Sequence, residues 1–285
     1  MALLSPIAAY AQEKAPSSPH TFAGNVSLAS QYIFRGLTQT NGKPAIQGGL
    51  DYSHASGFYA GTWLSNISWY TDQNAGSVSA PVSLGAPGSL GAPYEPNKTN
   101  SARFEWDLYG GYKGELAKDW TYDLGGIRYL YPGRFDNMGA YRNPNTTELY
   151  GAVGYRRLTL KYSKAVSTYT FGTNESRGAS YLDLSASIPL ADSGFNLLLH
   201  AGRQTYPNRP NTGYFGNSGG NNTFYSYTDF KLGVTKDWQG FTWAGAWTYA
   251  GTRATAPDGE TTAYRNVSGT NIGGNRLALM ITKTF

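Results

Sequence analysis

The first constraint on this chain is a periodicity of two. Residues Arg276 to Phe285 read RLALMITKTF, with Leu277, Leu279, Ile281 and Phe285 on one parity. Arg276, Ala278, Met280, Thr282 and Thr284 occupy the other. Successive side chains of an extended strand point to opposite faces, so the segment is a strand with one greasy and one polar face. Taken alone it fits the last strand of a soluble β-sandwich as well as the wall of a membrane barrel, because single alternating segments are weak signals. Lys283 interrupts the apolar parity. Near a membrane edge its aliphatic stem lets the charge reach water.

Composition narrows the choice. Charged residues are 14% of the chain, against about 25% in soluble domains. A soluble chain so poor in charge needs a strongly apolar core, yet the mean hydropathy is −0.43. No run of about 18 apolar residues supplies a transmembrane helix. The 285 residues include 36 Gly and 23 Tyr, a mixture suited to strands with lipid on one side and water on the other. The absence of Cys excludes disulfides, thiolate zinc sites and thiol chemistry. The net charge of +5 comes with no Lys/Arg run, so there is no nucleic-acid footprint.

The same strand grammar recurs along the chain. Strands are expected over Phe22–Leu37, Pro44–Ser53, Phe58–Trp69, Ala102–Lys113, Trp120–Tyr131 and Thr147–Tyr155. Further strands are expected over Leu158–Ala165, Ala179–Leu190, Phe195–Gln204 and Phe224–Asp237, from Phe241 onward, and at the carboxyl end. The parity slips between Leu124 and Ile127, where Gly125 and Gly126 suit a bulge. The total is an even twelve, and the links beyond the first alternate between longer and short. Even strand counts with long loops at one end and short turns at the other belong to single-chain outer-membrane barrels. The fold class expected is therefore all-β: a transmembrane up-and-down antiparallel β-barrel with long extracellular loops and short periplasmic turns. Residues 1–11, ending Ala9-Tyr10-Ala11, read as a residual signal peptide that lacks a basic start, 12–21 as a flexible leader and 22–285 as the barrel.

Two resemblances add to this reading. The last strand resembles the carboxyl-terminal assembly signal of bacterial outer-membrane barrels, with Leu277, Leu279, Ile281 and Phe285 as its apolar positions; Lys283 departs from that pattern. Residues Ser30–Asn66 resemble the opening of the TorF-family putative porins, through the YIFRG, PAIQGGLDY and GFYAGTWLSN stretches and, further on, Glu105–Tyr112. That resemblance implies an outer-membrane barrel with a presumed pore and supplies no substrate or catalytic residue.

With the apolar parity toward lipid, the opposite parity lines the lumen. Charges on the lipid face cost about 2–4 kcal/mol at the bilayer midplane, which forces the choice of side. The predicted pore lining is Arg35, Gln47, Asp51, Glu105, Asp107, Asp123, Glu148, Lys161, Asp183, Asp229, Lys231 and Arg276. Such a mixture of signs either flanks a water path or forms structural ion pairs that fill the bore. Tyr32, Phe34, Trp63, Trp69, Trp106, Tyr112, Tyr155, Phe241, Trp243 and Tyr249 are expected on the lipid side or in aromatic girdles. Arg134, Arg142, Arg177, Arg209, Arg253 and Arg265 fall in expected outside loops, where they bind lipopolysaccharide phosphates or simply keep the loops soluble.

An enzyme is not expected. The three His are His20, His54 and His200, and only His200 falls on the lumen parity, with no G-x-S-x-G nearby. No cofactor or metal is expected. The expected location is the bacterial outer membrane. The expected partners are its lipid and lipopolysaccharide, the barrel-assembly machinery and small polar solutes. The function expected is passive diffusion through the bore, the alternative a closed barrel that binds a partner through its loops.

Overall fold

The computed structural model describes residues 18–73, 100–135, 143–210, 222–253, 264–266 and 269–285. Residues 1–11, expected to be a residual signal peptide, most of the expected leader, Arg142 and the middles of several long connections lie outside the described residues. The chain order is β1 (His20–Ala29), β2 (Ile33–Phe34), β3 (Leu37–Thr38), β4 (Ala45–His54), β5 (Phe58–Asn66), β6 (Phe104–Ala117) and β7 (Trp120–Leu130). It continues with β8 (Thr146–Tyr155), β9 (Leu158–Ala165), β10 (Ser180–Pro189), β11 (Phe195–Thr205), β12 (Tyr227–Trp238), β13 (Phe241–Ala250) and β14 (Gly274–Thr284). All but β2 and β3 form one closed antiparallel barrel of twelve strands, each beside its neighbour in sequence. Closure joins β1 to β14 from Asn25 opposite Thr284 to Ala29 opposite Met280. The Phe285 amide extends that seam by donating to the Gly24 carbonyl at 2.8 Å.

The alternation puts large apolar side chains on the outer wall. Phe22, Leu50, Leu277 and Leu279 are 77%, 65%, 72% and 68% exposed, and most strands contribute others. Water would charge heavily for such a surface at about 25 cal/mol per Å², so the wall is built for hydrocarbon. Closure also leaves no strand edge unpaired, the condition for spanning a bilayer. The tight turns between β4 and β5, β6 and β7, β8 and β9, β10 and β11, and β12 and β13 gather at one end; the long connections gather at the other.

Three details differ from the sequence reading, and they share a cause. The first strand stops at Ala29 rather than Leu37, and residues 30–44 fold into the barrel carrying the β2–β3 hairpin. Expected lipid-facing aromatics therefore lie inside: Tyr32 is buried, Phe34 packs on Tyr129 and Phe171, and Trp63 and Trp69 join the same interior. Finally, β7 keeps its register through Gly125 and Gly126; the irregularity is at Glu115/Ala117 in β6. Ile127 faces inward because it meets the cluster around the in-folded segment. Where the in-folded segment fills the bore, apolar residues such as Trp63, Tyr129 and Ile127 also face inward, beside the buried acids of the same face.

Candidate functional site

The bore owes its shape to the segment between β1 and β4. Ile33-Phe34 and Leu37-Thr38 pair across Arg35-Gly36, with φ values of 47° and 76°. Positive φ at both central residues is the tight hairpin turn that favours Gly in its second place. Gly36 is also required by space, since a Cβ there would lie 2.8 Å from the Cβ atoms of Ala250 and Asp229. The hairpin tip thus touches the β12–β13 wall. Its root is tied by backbone bonds: Gln39 N–H donates to the Tyr32 carbonyl, and Thr38 N–H to the Ile272 carbonyl, each at 2.8 Å.

Arg35 projects from the turn across the bore. Its guanidinium grips Glu148 on β8 with two bonds of 3.0 and 2.7 Å and donates to Gln204 on β11 at 2.9 Å. Its flat face lies 4.2 Å from the Tyr181 ring centre and 4.8 Å from that of Phe34. A fork on a carboxylate, sandwiched by rings, uses the geometry in which Arg is not interchangeable with Lys. The pair is almost entirely buried, so removing either partner leaves a charge in a dry place.

Tyr32, buried against Trp63, donates to Glu105 at 2.8 Å. Glu105 and Asp107 sit side by side on the inner face of β6, 1% and 2% exposed. One oxygen of each, Oε2 of Glu105 and Oδ1 of Asp107, has no hydrogen-bond partner among the described residues. Arg35 forms its ion pair with Glu148 and not with these acids.

A second cluster occupies β10, β11 and β12. His200 lies between Asp229 at 2.8 Å and Asp183 at 3.2 Å, with Tyr181 and Ser185 against it. Ser185 donates to Asp183 at 2.5 Å, and both His200 nitrogens already face carboxylates. The arrangement clamps an imidazole; it does not leave His200 free to take a proton from Ser185. Lys231 lies directly across the register from His200.

Toward the short turns the bore loosens. Tyr59 donates to Asp123 at 2.6 Å and meets the Tyr150 hydroxyl at 2.5 Å; Tyr109 donates to Asp51 at 2.6 Å. Lys161 sits 3.6 Å from the Tyr150 ring centre. These rings lie over glycines of the next strand: a Cβ at Gly125 would come 2.6 Å from Tyr150. Lys113 and Glu115 are exposed on the inward parity of β6.

Of the residues proposed as pore lining, Gln47, Asp51, Glu105, Asp107, Asp123, Glu148, Lys161, Asp183, Asp229, Lys231 and Arg276 all fall on inward faces of barrel strands. Arg35 reaches the bore from the hairpin instead. Arg276 donates to the Asn271 carbonyl, and its Nε is buried without a partner among the described residues. Tyr32, Tyr59, Tyr150 and Tyr181 were not singled out as bore residues. One signal was available: sixteen residues from Phe22 to Leu37 exceed the about 9–11 that a spanning strand needs.

Among solved structures, the chain is similar to the KdgM porin, with 6% identity, a TM-score of 0.49, and 92% of this chain and 99% of that one covered. It is similar to the NanC porin at 10% identity and a TM-score of 0.48, covering 93% and 98%. An outer membrane channel from Pseudomonas putida F1 gives 12% identity and a TM-score of 0.45, covering 96% and 100%. No curated protein matches the chain. One family model does, over residues 13–285, and the chain belongs to that family: Gcw_chp, bacterial proteins of unknown function.

Proposed function

We propose that the protein is a bacterial outer-membrane channel for passive diffusion of small polar solutes or ions, narrowed from within by residues 30–44. The observation that carries this reading is the contrast of faces. The outer wall is apolar, while all nine acidic residues borne by barrel strands lie on the inward parity: Asp51, Glu105, Asp107, Glu115, Asp123, Glu148, Asp183, Asp229 and Asp237. Charges of both signs facing a bore suit a selective water path. The resemblance of Ser30–Asn66 to TorF-family porins supports the same reading, as does the apolar parity of Leu277, Leu279, Ile281 and Phe285 as an assembly signal.

The long-loop half carries a second reading. There the bore is packed with Tyr32, Trp63, Tyr129 and Tyr131, as in a closed barrel that works through its loops. Planar-bilayer recording separates the two. Purified protein is expected to give discrete conductance steps; a protein that never conducts at any voltage leaves the loop-binding barrel standing.

A further inference from the structure

The outer wall carries an asymmetry that diffusion through the bore does not need. Among the described strand residues, no acidic side chain faces outward, yet five Lys or Arg do: Arg128, Lys164, Arg203, Lys236 and Lys283. Lys236 and Lys283 sit at the short-turn end, with Lys283 bound to the Gly240 carbonyl. The other three lie within two residues of the long-loop ends of β7, β9 and β11.

These three occupy the same local pattern. Arg128 has Leu108 across from it on one side and Thr147 on the other. Lys164 lies between Leu149 and Ser180. Arg203 lies between Leu182 and Thr228. Each rung is a leucine, a cation and a hydroxyl on three successive strands. In two of them the hydroxyl holds the cation: Arg128 donates to Thr147 Oγ1 at 2.6 Å and Arg203 to Thr228 Oγ1 at 3.0 Å. One guanidinium corner is thereby fixed against the wall, and its remaining donors are left for a ligand. Successive rungs are two strands apart, about 10 Å around the wall. Each steps two residues along the strand it shares with the next, Thr147 to Leu149 on β8 and Ser180 to Leu182 on β10. A tilted barrel needs such a step to keep a ring of residues at one depth. On the rest of the wall, Trp106 donates to Thr62 and Trp247 to Asn275, which suits an interface without net charge.

From this repeated rung we infer that the β6–β12 wall binds a phosphorylated, acylated disaccharide of the lipid A type in the outer leaflet. Arg128, Lys164 and Arg203 take its phosphates, and the leucine surface beneath takes its acyl chains. A row of separated cations matches a headgroup with phosphates at both ends better than a phospholipid with one. The inference rests on the outer-membrane reading, with the long loops outside.

The test uses the full-length barrel in detergent, probed by native mass spectrometry with bisphosphorylated lipid A and with phosphatidylglycerol. Wild-type protein retains lipid A preferentially. The triple variant Arg128→Gln, Lys164→Gln, Arg203→Gln loses retention by about a hundredfold, while Lys236→Gln, Lys283→Gln keeps it. Equal retention by the triple variant, or equal retention of phosphatidylglycerol by the wild type, overturns the assignment. Surface labelling of an epitope tag at Glu175 on intact cells, with none at Ser193, checks the orientation separately. Bilayer conductance of the triple variant, expected to be unchanged, keeps this inference distinct from the channel reading.

Discussion

The two halves of the barrel share one wall and differ in what fills it. At the long-loop end, Thr38, Glu105, Glu148 and Tyr32 are at most 1% exposed, packed under the in-folded segment and the rings around it. At the short-turn end the inward positions Lys113 and Glu115 are exposed, and Asp123 is half-buried. Strand alternation is continuous through both halves, so the wall does not explain the difference. Fifteen residues, 30–44, do.

Removing that segment is the strongest way to break the contrast. Ala29 and Ala45 are direct cross-strand partners, so a short Gly-Asn turn can replace residues 31–43 without disturbing the wall. The replacement is expected to fold as a heat-modifiable barrel and to conduct several-fold more per channel than the wild type. Unchanged unitary conductance would place the narrowing elsewhere.

Arg35→Ala is a smaller perturbation of the same latch. It leaves Glu148 charged, buried and without its fork, at a cost of roughly 3–5 kcal/mol. Thermal unfolding in detergent should fall accordingly, with Arg35→Lys recovering only part of the loss. An unshifted transition would mean that the hairpin is held by its backbone bonds and apolar contacts alone.

The smallest effect on stability is expected from Glu105→Gln with Asp107→Asn. Neither acid is salt-bridged to a cation among the described residues, so neutralising them leaves no cation unpaired. The unfolding transition should move by less than about 1 kcal/mol, while the reversal potential in a salt gradient shifts toward anions. A large loss of stability with no change in selectivity would make both acids structural.

These halves also explain what the sequence made legible. All twelve wall strands could be read, because lipid demands a mainly apolar parity on the outer face, as in Phe104, Trp106 and Leu108. The side reached by the charged residues followed from the same demand. The in-folded hairpin did not emerge, because Tyr32 and Phe34 fall on the parity of Val26 and Leu28, with Ser30 alone between them. Trp63 and Ile127 were misleading for a related reason. A filled bore takes apolar residues as well as polar ones, so apolar side chains pointing into it resemble residues pointing into lipid, and hydropathy cannot separate two greasy sides of one strand. The pairing of Arg35 with Glu148 was out of reach, since strand parity assigns a face but not a partner across the lumen.

The position of the hairpin in the chain also bears on how the barrel is made. Arg35 meets partners 113 and 169 residues later in sequence. Contacts so distant form late, because the entropy of closing the intervening chain must be met first. Most of the wall must therefore stand before the latch has anything to hold. The hairpin enters a nearly complete cylinder, sealed only when β14 reaches β1. The narrowing of the bore is therefore a property of the assembled wall, since Arg35 has nothing to hold until β8 and β11 stand in place.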